Sequence, residues 1–335
     1  MDLHHDENRV KEWTEANSQS LELNSSKIEA KYIWNPGGFV NQSYRITDGQ
    51  TIRHLKLSQE QKATGLKQWV KISGHLTNNY KAPRLIREIA QEITPGYSYG
   101  LVFDFIEGKP LSSISDPLPV IEKVLKSLHQ LHADTEIRMA VASEAKDYNY
   151  AAAFTDEYIT RFEEDLQIIR AEKHLLDFVT EDTLDWFDTE VEALRIMVNQ
   201  HPSFQRKATD IVHNDINWQN VLVDDSNDFW IIDWDDLTVF GDAAMDYSVL
   251  LWPIYKSKDW GYCRDLVIDL AGHAILERME FYFRAKLLDD VIDVLADYVD
   301  AEHVPELKEM AQKRAKEIHL RAYPEYLSLY ADNLS

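Results

Sequence analysis

Three oxygen-bearing side chains stand at a spacing that could do chemistry together. In His213-Asn214-Asp215-Ile216-Asn217-Trp218-Gln219-Asn220, an aspartate and an asparagine lie five residues apart at the entry to an apolar stretch, Val221-Leu222-Val223. A polar turn over Asp224–Asp228 returns a second apolar run, Trp230-Ile231-Ile232, which ends on Asp233. Two short strands joined this way bring Asp215, Asn220 and Asp233 to one mouth. Phosphoryl transfer asks for such a set: a carboxylate to accept or orient the proton of an attacking hydroxyl, and hard oxygen donors for Mg²⁺. A plain surface hairpin would not need polar residues at those positions.

Other residues must serve such a centre. Gly37 and Gly38 lie in a Pro-Gly-Gly turn followed by Asn41 and Ser43, and glycines let backbone amides approach a phosphate closely. Lys56 lies in His54-Leu55-Lys56-Leu57, on the strand expected to return from an Asp48-Gly49 hairpin turn. The run Leu101–Gly108 reads as a strand entering a connector.

The elements that would position these residues fall into two classes. Strands are expected over 31–34, 40–47, 51–57, 84–89 and 99–105, with helices over 9–18 and 59–76. Beyond Gly108 helical patterns dominate, over 119–132, 155–172, 181–199, 262–288 and 308–329, interrupted by a strand-rich island at 209–234. In the first of these helices Ile121, Val124, Leu125, Leu128 and Leu131 form a stripe of period 3.6. The organisation is a strand-rich N-terminal lobe, residues 1–105, and a mostly helical C-terminal lobe, residues 106–335, with a cleft between lobes as the natural ligand site.

Composition narrows the function classes. The chain has 335 residues and a net charge of −23, which disfavours nucleic acid as a partner. Its 44% hydrophobic content supports a large core, and one cysteine, Cys263, excludes an intrachain disulfide. No apolar run is long enough to span a bilayer, and the polar, acidic N-terminus lacks the pattern of a signal peptide. A cytoplasmic monomer is expected. Charge is uneven: residues 51–90 hold eight basic and two acidic side chains, whereas residues 141–200 hold five basic and fifteen acidic. One region favours an anion, the other a cation.

Taken in order, these segments resemble the aminoglycoside phosphotransferase and choline kinase family, at His213, Asp215, Asn220, Ile232, Asp233 and Trp234, and at the following Gly241-Asp242-Ala243-Ala244-Met245-Asp246-Tyr247. Gly37-Gly38-Phe39-Val40-Asn41-Gln42-Ser43-Tyr44-Arg45 resembles its nucleotide loop. The resemblance implies an α+β, bilobal protein-kinase-like fold and an ATP- and Mg²⁺-dependent transfer to a hydroxyl of a small, cationic molecule. It implies Asp215 as catalytic base and Asn220 and Asp233 as magnesium ligands. Gly37, Gly38, Asn41, Ser43 and Lys56 would hold the phosphates, and the main chain of Asp104 and Ile106 the adenine. His213, Asp242 and Asp246 would brace the loop or cap a helix, and His129 would pack or brace.

Two departures stand out. Between Lys56 and Arg87 the only carboxylate is Glu60, too near to be the helix partner that kinases give such a lysine, and Gln68 stands in the usual place. Asn214 replaces a glycine usual in aminoglycoside kinases. A catalytically weak nucleotide-binding regulatory module is therefore the alternative reading. Asp235, Asp236, Trp252, Tyr255, Trp260 and the acidic run Asp289–Asp300 are candidate cation binders, the last set reading first as a solvated helix face.

Overall fold

The computed structural model describes residues 3–24, 27–34, 41–141 and 148–330. The chain packs as two compact units. The first comprises residues 1–127, 134–142 and 215–237; the second comprises 128–133, 143–214 and 238–335.

The first unit is built on a five-stranded antiparallel sheet of order β1-β2-β3-β5-β4: β1 (Glu29–Ile33), β2 (Gln42–Thr47), β3 (Ile52–Ser58), β4 (Leu85–Ile89) and β5 (Tyr99–Asp104). The β2–β3 hairpin closes where expected. Asp48 accepts the backbone N–H groups of Gln50 and Thr51 at 2.9 and 2.7 Å, and Gly49 takes a left-handed φ of 91°. Helix α1 (Leu3–Asn17) covers one side, and Val10 packs with Leu21, Tyr44, Ile46, Leu55, Leu57 and Val102 in a buried core. Helix α2 runs Thr64–Tyr80, five residues later than expected, because a 3-10 turn over Glu60–Lys62 precedes it. The unit is completed by β6 (Lys109–Pro110), β8 (Val221–Val223) and β9 (Phe229–Ile231), which form a three-stranded sheet.

Helix α3 (Leu118–His132) has its expected apolar stripe fully buried and passes from the first unit into the second. The short helix α4 (Thr135–Val141), absent from the sequence reading, is capped by Asp134, whose Oδ1 accepts the N–H of Glu136 and of Ile137.

The second unit is helical apart from β7 (Asp210–Val212) paired with β10 (Thr238–Gly241). Gly241 allows that pairing: a Cβ there would lie 2.1 Å from the Val212 side chain. Helix α5 (Tyr150–Phe154) continues through a π-turn over Thr155–Ile159 into α6 (Thr160–Ala171), and α7 spans Glu181–Gln200. Helix α8 (Ala243–Leu251) is buried at all nine positions. The single helix expected over 262–288 is two, α9 (Trp260–Ala271) and α10 (Ala274–Asp300), broken at Gly272 with φ 82°. Helix α11 (Lys308–Tyr330) closes the unit. Buried charge is paired here: Arg284 with Glu190 and the Tyr326 hydroxyl, and Arg278 bidentate with Asp242 at 2.7 and 3.0 Å. Among the described residues no helix is long and apolar enough to cross a membrane.

Candidate functional site

The loop before β8 is built from its own amides. Asn217 Oδ1 accepts the N–H of Gln219 and Asn220 at 2.8 and 3.3 Å, while its Nδ2 donates to Asp215 Oδ1 at 2.7 Å. Asn220 Nδ2 donates to the Asp215 carbonyl and to Asp215 Oδ2, both at 2.8 Å. The Asp215 carboxylate is thus held by two side-chain amides. The sequence signal for Asn217 is its spacing, two after Asp215 and three before Asn220, which suits an Asx turn.

The β8–β9 hairpin brings the next residues to the same end. Asp224 Oδ1 accepts the N–H of Ser226 and Asp228 at 2.9 and 3.0 Å, which closes the far turn. At the near end the Ile232 N–H donates to the Asn220 carbonyl at 3.0 Å, so Asn220 and Asp233 leave the hairpin side by side. Asp233 has a left-handed backbone, φ 69° and ψ 57°, a costly conformation for a non-glycine residue that redirects the chain into a turn over Trp234–Asp236. Trp234 locks that turn, its buried indole N–H donating to the Ile231 carbonyl at 2.7 Å.

Lys56 is 5% exposed and points into this turn, where its ammonium meets Asp233 Oδ1 and, at 2.6 Å, Asp235 Oδ1. Burial alone would lower the lysine pKa, but the two carboxylates outweigh it and hold the group above its ordinary value. Two acids sharing one ammonium cannot both be fully compensated, and burial pushes Asp235 up to about 8. The expected role of Gln68 as the orienter of Lys56 is corrected: Gln68 Nε2 donates instead to the Leu237 carbonyl, beyond the acidic turn. Helix α2 still serves the site by close approach. A Cβ at Gly65 would lie 1.8 Å from the Asp235 carbonyl oxygen.

The remaining expected residues are placed as follows. Asn41 Nδ2 donates to Asp235 Oδ2 at 3.2 Å, and Ser43 lies on β2 directly opposite Lys56 on β3. Gly37 and Gly38 lie outside the described residues. Asp104 ends β5, its N–H given to the Arg84 carbonyl at 3.0 Å and its carboxylate paired with Arg53 and Arg84, both at 2.9 Å or less. Ile106 follows, half-buried.

In the second unit the residues just before Asp215 are fixed from behind. Asp246 on α8 accepts the N–H of His213 and Asn214 at 3.0 and 2.9 Å, and pairs with His132 Nε2 at 3.0 Å. Asn214 has φ 69°, in the left-handed region that asparagine and glycine both tolerate. Asp242 caps α8 through the Ala244 N–H at 2.9 Å. These two aspartates thus brace and cap, as the sequence suggested. The bracing histidine is His132; His129 is exposed. In the sequence His132 continues the apolar stripe of α3, four residues after Leu128, and so reads as packing.

Of the candidate cation binders, Asp235 does hold a cation, the chain's own Lys56. Asp289 is not on a solvated face: it is 7% exposed and paired with Arg161 and, at 2.5 Å, with Lys286. Tyr255 stacks on Phe283 at 3.9 Å between ring centroids, with Trp252 and Trp260 against it and the Lys256 ammonium 5.0 Å from its ring. Among the described residues no group of three or more His, Cys, Asp or Glu could hold a metal by itself. The Asp-plus-Asn set still suits Mg²⁺, which takes one or two protein oxygens and completes its shell with phosphate and water. Asn220 has committed its amide nitrogen to Asp215, which leaves the amide oxygen as its donor to a cation.

No curated protein matches the sequence significantly. Solved structures match along nearly the whole chain. The GDP and kanamycin complex of APH(2")-IIia aligns with a TM-score of 0.61 at 14% identity, covering 94% of this chain and 99% of that one. The gentamicin complex of APH(2")-IIa aligns at 0.57 and 17% identity, covering 96% of each chain. An ethanolamine kinase from Plasmodium vivax aligns at 0.55 and 12% identity, covering 95% and 87%. These likenesses establish the kinase-like fold. Residues 34–282 match the profile of the phosphotransferase enzyme family, which is most of the chain and takes in Lys56, Asp215, Asn220 and Asp233. The chain belongs to the phosphotransferase enzyme family and has the fold of its small-molecule kinases.

Proposed function

We propose that this chain transfers the γ-phosphoryl group of ATP to a hydroxyl of a small, cationic acceptor. The observation that carries the reading is the Asp215 carboxylate, held by Asn217 and Asn220 at the mouth of a hairpin that also delivers Asp233 to Lys56. Asp215 would accept or orient the proton of the attacking hydroxyl. Its two amide donors fix the carboxylate in one orientation, so little reorganisation remains at the moment of transfer. Asn220 and Asp233 would hold Mg²⁺, which when bound neutralises phosphate charge and fixes the phosphate geometry. Lys56 would move from its carboxylates onto the phosphates, with Asp235 keeping it compensated once Asp233 turns to the metal. The 41–43 segment and the Asp104 and Ile106 main chain would place the rest of the nucleotide. The second unit, with its many acidic and aromatic side chains, would supply the acceptor's recognition.

The acceptor class rests on charge and on kinship of fold. Residues 141–200 carry fifteen acids against five bases, and the solved neighbours are complexes of aminoglycosides and an ethanolamine kinase. The alternative, a regulatory module without useful catalysis, rests on the missing helix glutamate. The pairing of Lys56 with Asp235 supplies a carboxylate from another place and weakens that alternative.

The test is transfer from Mg-ATP across a panel of aminoglycosides, amino sugars, hydroxyamino acids and choline-like alcohols. Acceptor-dependent ADP release with a phosphorylated product is expected for at least one class. ATP binding with no transfer to any panel member would favour the regulatory module.

A further inference from the structure

The second unit contains a cavity of about 260 Å³ that the proposed phosphoryl transfer does not use. Its floor is buried and polar, formed by His132 at the end of α3, Tyr150 at the start of α5, Tyr247 on α8 and Arg278 on α10. Its rim is exposed and carries His129 and Arg206.

Two floor groups have no hydrogen-bond partner among the described residues: His132 Nδ1 and the Tyr247 hydroxyl. The residues are 7% and 0% exposed. A buried polar atom left unpaired costs about 1–3 kcal/mol, so two in one wall point to an occupant. The chemistry of the wall defines it. Asp210, the only acid lining the cavity among the described residues, is already engaged, accepting from the Tyr150 hydroxyl at 3.1 Å and the Ala243 N–H at 3.0 Å. Arg278 gives Nε and Nη2 to Asp242, leaving Nη1, and Arg206 forms no ion pair with a described residue. Burial raises the Tyr247 pKa, so its hydroxyl stays a donor. The wall therefore offers donors and positive charge. One acceptor stands among them: the Asp246 carboxylate takes the proton on His132 Nε2, which in the neutral ring makes Nδ1 a lone pair.

We infer that this cavity binds a small oxyanion that also carries an O–H group, a hydrogen phosphate or a hydroxycarboxylate. Its anionic oxygens accept from Arg206, Arg278 and Tyr247, and its hydroxyl donates to His132 Nδ1. The volume lies just below the roughly 300–1,000 Å³ of drug-sized ligand pockets and is ample for an anion of this size. A bound group is connected to the loop before Asp215 by one imidazole and one carboxylate, since Asp246 holds both His132 and the N–H groups of His213 and Asn214.

Calorimetry with inorganic phosphate, glycolate and acetate tests the inference on the full chain, without any turnover. Saturable binding of phosphate or glycolate is expected, and which of the two binds tighter separates the phosphate source from the carboxylate source. Acetate, which lacks the hydroxyl, should bind at least tenfold more weakly than glycolate. Arg206→Gln, at an exposed position, should weaken binding about tenfold or more while leaving the fold intact. Asp233→Ala should leave it unchanged, because the anion is not in the nucleotide site. No binding of either hydroxylated anion, binding indifferent to Arg206→Gln, or binding lost in Asp233→Ala would overturn the inference.

Discussion

Asp233 and Asp235 meet one lysine in a tight turn after a three-residue strand, whereas Asp289, Asp293 and Asp297 run along one face of a 27-residue helix beside Asp165 of α6. The first grouping lies among directional hydrogen bonds: Asp215 has two amide donors, and the turn after Asp233 is pinned through Trp234 and Asn220. The second is held by packing, and its charges are poorly matched. Arg161 and Lys286 both go to Asp289, and Asp165 Oδ2 has no partner among the described residues. Burial, together with the neighbouring Asp293 charge, raises Asp165 to about 7 and Asp297 to about 8; burial, then Asp289, raises Asp293 to about 6. Short strands and loops fix where a carboxylate points, as transfer chemistry needs. A long helix fixes only which face it is on, and there protonation relieves the mismatch.

Substitutions break this comparison in graded ways. Asp215→Asn leaves one of the two amides that donate to Asp215 without its acceptor and removes the proposed proton acceptor. The transfer rate should fall by a factor of about 10²–10⁴ with nucleotide affinity unchanged, read by steady-state kinetics beside calorimetry. Gly65→Ala drives a methyl into the Asp235 carbonyl and forces α2 or the acidic turn to shift. A loss of about 1–3 kcal/mol in denaturant unfolding is expected, with weaker nucleotide binding.

The helical grouping should respond to pH in the opposite sense to an ordinary salt-bridged acid. The folded-state pKa of Asp165 lies above its unfolded value, so the fold favours the protonated form. Its contribution to stability is full below about pH 4 and is lost as pH rises through about 7. Asp165→Asn should therefore raise the thermal midpoint by several degrees at pH 8 and change it little at pH 4.5, as scanning calorimetry would show. An equal shift at both values would show that the acid is not strained. Smallest of all is Arg170→Ala, which removes an exposed pair with Asp188; a change below about 1 kcal/mol is expected in chemical denaturation.

Much of this was legible in the sequence where local chemistry decides structure. The Asp48-Gly49 turn, the stripe of α3 and the hairpin from Asn220 to Asp233 each depend on residues close in the chain. The parts that were not legible depend on distant partners or on backbone conformation. The break at Gly272 needs a left-handed residue inside an otherwise helical pattern. Asp235 reads as a cation binder, and only the fold shows that its cation is Lys56, 179 residues away in sequence. His132 reads as part of an apolar stripe because its one polar contact in the structure, Asp246, comes from α8. The burial of Asp289 needed Arg161 from α6.

The central claim is that the first unit's polar set is a magnesium–nucleotide site. The most direct measurement is calorimetric titration of ATP into the wild type and Asp233→Ala, each with Mg²⁺ and with a chelator. The account predicts that Mg²⁺ tightens ATP binding at least tenfold in the wild type and has no such effect in the variant. Equal affinities with and without Mg²⁺ in the wild type, or an undiminished Mg²⁺ effect in Asp233→Ala, would contradict it.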